Sequence, residues 1–82
     1  MKFMVEFRLK PGSKRQIVEA FELRGPNRNP GVSFRGAWVG TRSDVIFALG
    51  ESADEALIVR ACQSWDQEGA YQIYPVVDIE QF

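Results

Sequence analysis

The side chains best placed to do chemistry are an acid and a cation two positions apart, Glu6 and Arg8. Arg35 lies further along, with two aromatics that carry a polar atom, Trp38 and Tyr74. Residues two apart in a strand share a face, so Glu6 and Arg8 can pair or orient a polar ligand. With Glu6 as base they could also move a proton. Indole and phenol offer apolar area with one hydrogen-bonding atom, which is how small-molecule pockets are walled. Trp38, Tyr74, Glu6, Arg8 and Arg35 are therefore the candidate ligand-binding residues, and no catalytic residue is assigned. A purely structural reading competes for each. Glu6 and Arg8 can form an intersubunit ion-pair cluster that fixes the register of a dimer. Aromatics can simply fill a core.

Other chemistry has less support. Cys62 falls in the apolar stripe of a helix, and Arg60, two positions away, points elsewhere on it, so it reads as a small core residue. Arg24 and Arg28 flank Gly25-Pro26-Asn27-Arg28-Asn29-Pro30-Gly31, a loop whose backbone could form a small anion-binding concavity or serve only as a connector. With no histidine and one cysteine, zinc and iron sites lack ligands, and no calcium-loop pattern occurs. No metal or cofactor is expected. Phosphate-loop, dinucleotide and nucleophile-elbow motifs are absent.

Eighty-two residues make one domain, spanning 1–82. A chain this short buries only about 60% of its unfolded surface, and one cysteine leaves it without a disulfide framework. Oligomerisation is then the simplest route to more buried surface, so a homodimer is expected. The lone cysteine and the lack of a signal-peptide pattern point to the cytoplasm. No apolar run reaches the roughly 20 residues of a membrane helix.

A net charge of −1 argues against general nucleic-acid binding. The charge is unevenly spread. Residues 1–42 carry nine basic and three acidic side chains; residues 43–82 carry one basic and eight acidic. The halves can cancel by packing together, or offer complementary faces to an anionic ligand or a second subunit.

The elements that must position these residues follow from periodicity. Lys2 to Leu9 alternates, with Phe3, Val5, Phe7 and Leu9 on one face and Lys2, Met4, Glu6 and Arg8 on the other. Pro11-Gly12 stops that strand. Ser13 and Gln16 form a capping-box pattern before a helix carrying Ile17, Val18 and Phe21, with Gly25 as its terminator. A hairpin follows: Gly31 to Val39, a turn over Gly40-Thr41-Arg42-Ser43-Asp44, then Val45 to Leu49. Gly36 and Gly40 suggest a bulge or a close backbone approach. The second arm is apolar on both faces, as in a strand covered twice. Ser52-Ala53-Asp54-Glu55 reads as a second capping box, opening a helix with Leu57, Ile58, Ala61, Cys62 and Trp65 inward, and Gly69 closes that region. Tyr71 to Val77 is a last strand, confined to an edge by Pro75. An acidic tail, Asp78 to Phe82, ends the chain.

The order is βαββαβ, the ferredoxin-like pattern: α+β, with a four-stranded antiparallel sheet and two helices on one face. An RNA-recognition domain shares it, but Asp44-Val45-Ile46-Phe47-Ala48-Leu49-Gly50 lacks the aromatic-basic signature on the third strand.

Several short motifs, taken in order, carry a resemblance. They are Met1-Lys2-Phe3-Met4-Val5, Pro30-Gly31-Val32, Gly36-x-Trp38, Phe47-Ala48-Leu49-x-Glu51, Ala53-Asp54-Glu55-Ala56-Leu57, Trp65 and Tyr74-Pro75-Val76-Val77-Asp78. Together they resemble the bacterial domain of unknown function 3303, of the dimeric α/β-barrel group of ferredoxin-like folds. The resemblance covers nearly the whole chain. It implies a homodimer whose sheets pack face to face, and no activity. Wider relatives include cofactor-independent monooxygenases and isomerases that hold ligands between sheet and helices, though fold analogy is a weak warrant for function. Two functions follow as expectations. The first is a homodimeric module that binds or senses a small molecule, or serves assembly, without catalysis. The second is a small cofactor-independent enzyme with Trp38 and Tyr74 as pocket walls and Glu6, Arg8 or Arg35 as polar actors.

Overall fold

The computed structural model describes residues 1–24, 30–65 and 69–82. Six main elements follow in the expected order: β1 (Lys2–Leu9), α1 (Lys14–Arg24), β2 (Ser33–Val39), β3 (Val45–Glu51), α2 (Glu55–Gln63) and β4 (Gly69–Val76). The strands form one sheet in the order β2-β3-β1-β4, every neighbouring pair antiparallel. This is the ferredoxin-like α+β fold. β1 and β3 are central, and Pro75 lies on edge strand β4, where its missing N–H costs no ladder bond.

One face of the sheet carries the core. The inward residues of β1 meet α2 through Phe3, Val5, Val32, Ala48, Ile58, Ala61 and Cys62, and meet α1 through Phe7, Leu9, Ile17 and Ile46. Phe3 and Ile58 are wholly buried, each gaining about 1.5–3 kcal/mol from leaving water. Cys62 is buried in that stripe, as its spacing predicts. Trp65, read from its spacing as the last inward residue of α2, lies just beyond its end at Gln63, and its ring meets that of Phe21 at 5.9 Å, tying α1 to the turn after α2. At 18 Å in its thinnest direction the molecule is two layers thick, so among the described residues nothing covers the opposite face of the sheet. β3, apolar on both sides, is accordingly covered once and not twice: Ile46 and Ala48 are buried, whereas Phe47 is exposed.

β2 contains the expected irregularity. Its register against β3 shifts between Phe34 and Gly36, leaving Arg35 as an extra residue. Phe34 opposes Gly50 and packs on the core, while Trp38 opposes Phe47 on the uncovered side. Gly31, at φ +80°, makes the turn into β2 that a side chain would strain.

Neither capping box forms as the sequence suggests. The Ser13 hydroxyl donates to the Lys10 carbonyl at 2.6 Å, closing the turn before α1. The basic first turn of α1 finds a different use, with Lys14 Nζ donating to the Ser43 carbonyl at 3.0 Å. α2 is capped by Asp54, whose carboxylate accepts the Ala56 N–H at 2.9 Å. Ser52 lies two residues before that cap position, its N–H extending the ladder to the Met1 carbonyl at 3.0 Å. Its hydroxyl instead accepts the Asp54 N–H at 3.2 Å. The acidic tail forms a single 3-10 turn over Ile79–Gln81. The loop holding Arg28, its proposed concavity with Arg24, and Gly25 as helix terminator lie outside the described residues.

Candidate functional site

The candidate site is built on the uncovered face. Alternation along β1 places Met4, Glu6 and Arg8 there, and the pairing registers add their neighbours in rows. Trp38, Phe47, Glu6 and Gln72 form one row, from β2 through β3 and β1 to β4. Gly36, Leu49, Met4 and Tyr74 form the next. The face is thus divided, aromatic and aliphatic over β2 and β3, polar over β1 and β4.

The aromatic half is open to solvent. Trp38 is 57% exposed and Phe47 40%. The indole lies back along its own strand over Gly36, where a Cβ would come within 2.8 Å of the Trp38 ring. Gly36 is the close backbone approach that the sequence suggests, and it lets a large flat side chain rest on the sheet.

The polar half is a connected cluster. Arg8 Nε donates to Glu6 Oε2 at 2.9 Å. Tyr74 Oη lies 3.3 Å from Glu6 Oε1 and 2.9 Å from Gln72 Oε1. One phenol hydrogen cannot serve both acceptors, but a rotated Gln72 amide donates to the phenol oxygen and frees its hydrogen for Glu6. Glu6 then accepts from a guanidinium and a phenol together. Its side chain is 18% exposed, against 73% for Arg8. The carboxylate is held in place while the arginine keeps its terminal nitrogens toward solvent. In chemical terms the cluster is an oriented acid with a cation and a phenol beside it, next to an apolar shelf.

The structure therefore brings together Glu6, Arg8 and Tyr74, and places Trp38 on the same face two strands away, about 10 Å at ordinary strand spacing. Arg35 does not join them. As the extra residue of β2 it pairs with Glu51 at 3.2 Å. Gln72 and Phe47 complete the site and were not singled out by sequence; the signal for Gln72 was its position two residues before Tyr74 in an alternating strand.

Glu6 and Arg8 lie on the face of β1 away from the core, as its alternation predicts, and with Tyr74 they do not wall the sheet–helix pocket of the enzyme reading, because their pairing partners lie on the side away from the helices. A hollow of about 200 Å³ does exist between α1 and β2, lined by Val18, Phe21, Ala37, Trp38, Val39 and Ile46 with Glu22 at its edge. Of the candidates only Trp38 touches it. A second hollow, about 410 Å³, opens beside the end of β4 around Lys2, Pro75, Val77 and Asp78. Lys2 and Asp78 are bonded to each other across 2.9 Å there, and the Asp78 carboxylate holds the Lys2 ammonium above the ordinary lysine pKa.

Among the described residues no three histidine, cysteine or carboxylate side chains converge on a common metal position, and no helix is long and apolar enough to cross a membrane. Comparison with curated proteins and with solved structures finds no match to the chain. One family matches over residues 1–82, the whole sequence given, and its description is that of a domain of unknown function (DUF3303). The motifs running from Met1-Lys2-Phe3 to Tyr74-Pro75-Val76 are thus those of a family, and the chain belongs to domain of unknown function 3303.

Proposed function

We propose that this chain is a homodimeric binding module without catalysis of its own, in which two uncovered sheet faces pack together and hold a small molecule between them. One observation carries the reading. A face holding exposed Trp38, Phe47 and Tyr74 stands opposite a complete core, and such patches on small proteins mark association or ligand sites. The aromatic shelf and the Glu6–Arg8–Tyr74 cluster give a ligand apolar area and a few fixed polar contacts, the usual division of labour in a binding site. Native mass spectrometry on gently purified protein tests it. A dimer carrying extra mass that is lost on denaturation is the expected result. A bare monomer would overturn the reading.

A second reading is favoured by the contact of Glu6 with Tyr74. A carboxylate and a phenol 3.3 Å apart can exchange a proton with a ligand lying over both. A cofactor-independent isomerase or monooxygenase would then work on the uncovered face, away from the helices. Turnover of the bound molecule by the purified protein, abolished by Tyr74→Phe, would select this reading over simple binding.

A further inference from the structure

We propose that the free edge of β2 is a peptide-docking site: an extended segment of another protein pairs with Ala37 and Val39, sending an apolar side chain into the hollow beside α1 and a basic one to Glu22. The site is separate from the Glu6–Arg8–Tyr74 cluster and does not depend on a dimer. It follows from where the backbone groups of β2 point. Bonds in an antiparallel ladder join alternate residue pairs. The Gly40 N–H donates to the Val45 carbonyl at 2.8 Å, which makes Trp38–Phe47 and Gly36–Leu49 the next bonded pairs in the register. Ala37 and Val39 therefore turn their N–H and C=O groups away from β3, and β2 has no other strand neighbour among the described residues. Among those residues nothing takes up these groups. The opposite edge of the sheet is blunted by Pro75 in β4. β2 carries a bulge at Arg35, but beyond it the register is regular, and Ala37, Trp38 and Val39 are apolar and exposed. A row of free donors and acceptors at strand spacing selects an extended chain over a small molecule.

What that chain must carry is set by the hollow on the helix side. Residues opposite each other across a ladder share a face, so those opposite Ala37 and Val39 point toward Val18, Phe21 and Ile46. These residues line the hollow of about 200 Å³, which has room for a leucine- or phenylalanine-sized side chain. The β2 of a second copy is a poor fit, because beyond the bulge it offers only Ala37 and Val39 on that face. Glu22 stands at the rim, exposed and without an ion-pair partner among the described residues. An apolar residue with a basic one two positions away puts both on the inward face. The first fills the hollow and the second meets the carboxylate.

The probe is a capped synthetic peptide, Thr-Lys-Thr-Ile-Thr-Lys-Thr, whose alternation serves either strand direction. Titrated into isotope-labelled protein, it should shift the Ala37 and Val39 amide signals in NMR spectra. Exchanging its Ile for Ala should weaken binding about tenfold or more, the loss of most of one buried aliphatic side chain. On the wild type it should bind about threefold tighter than Thr-Glu-Thr-Ile-Thr-Glu-Thr, the scale of one exposed ion pair, and Glu22→Lys should reverse that order. Glu22 is exposed on α1, so the variant should fold, as circular dichroism will show. Unshifted Ala37 and Val39 amides at millimolar peptide, equal binding of the Ala peptide, or a charge order untouched by Glu22→Lys overturns the proposal. A shift of the same amides with protein concentration alone assigns the edge to a second copy and overturns it too. None of these outcomes alters the reading of the uncovered face.

Discussion

The two faces of this sheet are written by the same alternating strands and end in opposite conditions. On the helix side, Phe3, Val5, Phe7 and Leu9 are all buried, and the two helices supply the matching surface. On the other side, Met4, Glu6 and Arg8 lie beside their strand neighbours, and Trp38, Phe47 and Tyr74 lie open. The first face is mostly hydrocarbon, with Tyr71 among the residues packed against both halves of the core. The second has an ion pair, a phenol and an amide joined by hydrogen bonds. The difference separates stability from function: the covered face holds the chain folded, and the uncovered face is free to recognise something.

That separation can be broken from either side. Phe3→Ala, at a site with no exposure, should cost about 3–5 kcal/mol of folding stability, seen in urea denaturation as a large fall in midpoint. Trp38→Ala should leave the folded monomer intact and cost association about 2 kcal/mol or more, read by sedimentation at several concentrations. If instead it unfolds the chain as Phe3→Ala does, the two faces are not distinct in role. Glu6→Ala should weaken the dimer by about 2 kcal/mol, because it strands Arg8 in the interface; unchanged dimer affinity would remove the ion pair from the argument. Asp54→Ala sharpens the other half of the comparison. Losing the α2 cap should cost about 1 kcal/mol of stability with no change in association. The smallest effect belongs to the Lys2–Asp78 bridge. Because its folded pKa is raised, the contribution of Lys2 is complete below the ordinary lysine value of 10.5 and is lost as pH rises through the higher folded value. Asp78→Asn should flatten that alkaline fall in thermal stability.

Much of the covered face was legible in the sequence, because burial on one side imposes period two on β1 and helical spacing on Ile58, Ala61 and Cys62. Those signals are local and repeated, and the bounds of β1 came directly from them. The cap of α2 was misread because two residues only two positions apart, Ser52 and Asp54, both carry capping oxygens. Ser52 is instead held at the end of the sheet by a bond to Met1, far away in sequence, while Asp54 takes the cap. The site was harder to read for the same reason. That Glu6 pairs with Arg8 follows from spacing. That Tyr74 and Gln72 lie beside them depends on the β1–β4 register, and no short-range pattern encodes it. That Trp38 shares the face of Phe47 depends on where the register of β2 against β3 slips, and nothing local in β2 encodes it.

The slip at Arg35 makes β2 a strand whose two ends obey opposite parity. Phe34 and Trp38 are four residues apart, an even interval that ordinarily sends both side chains the same way. One inserted residue sends the phenyl inward and the indole outward. Substitution anywhere in this strand changes a surface; removing Arg35 would exchange surfaces. It would drive either the indole into a core already filled or Phe34 into solvent. The length of β2 is therefore under tighter constraint than its composition, and a change of one residue there would erase the distinction between the two faces.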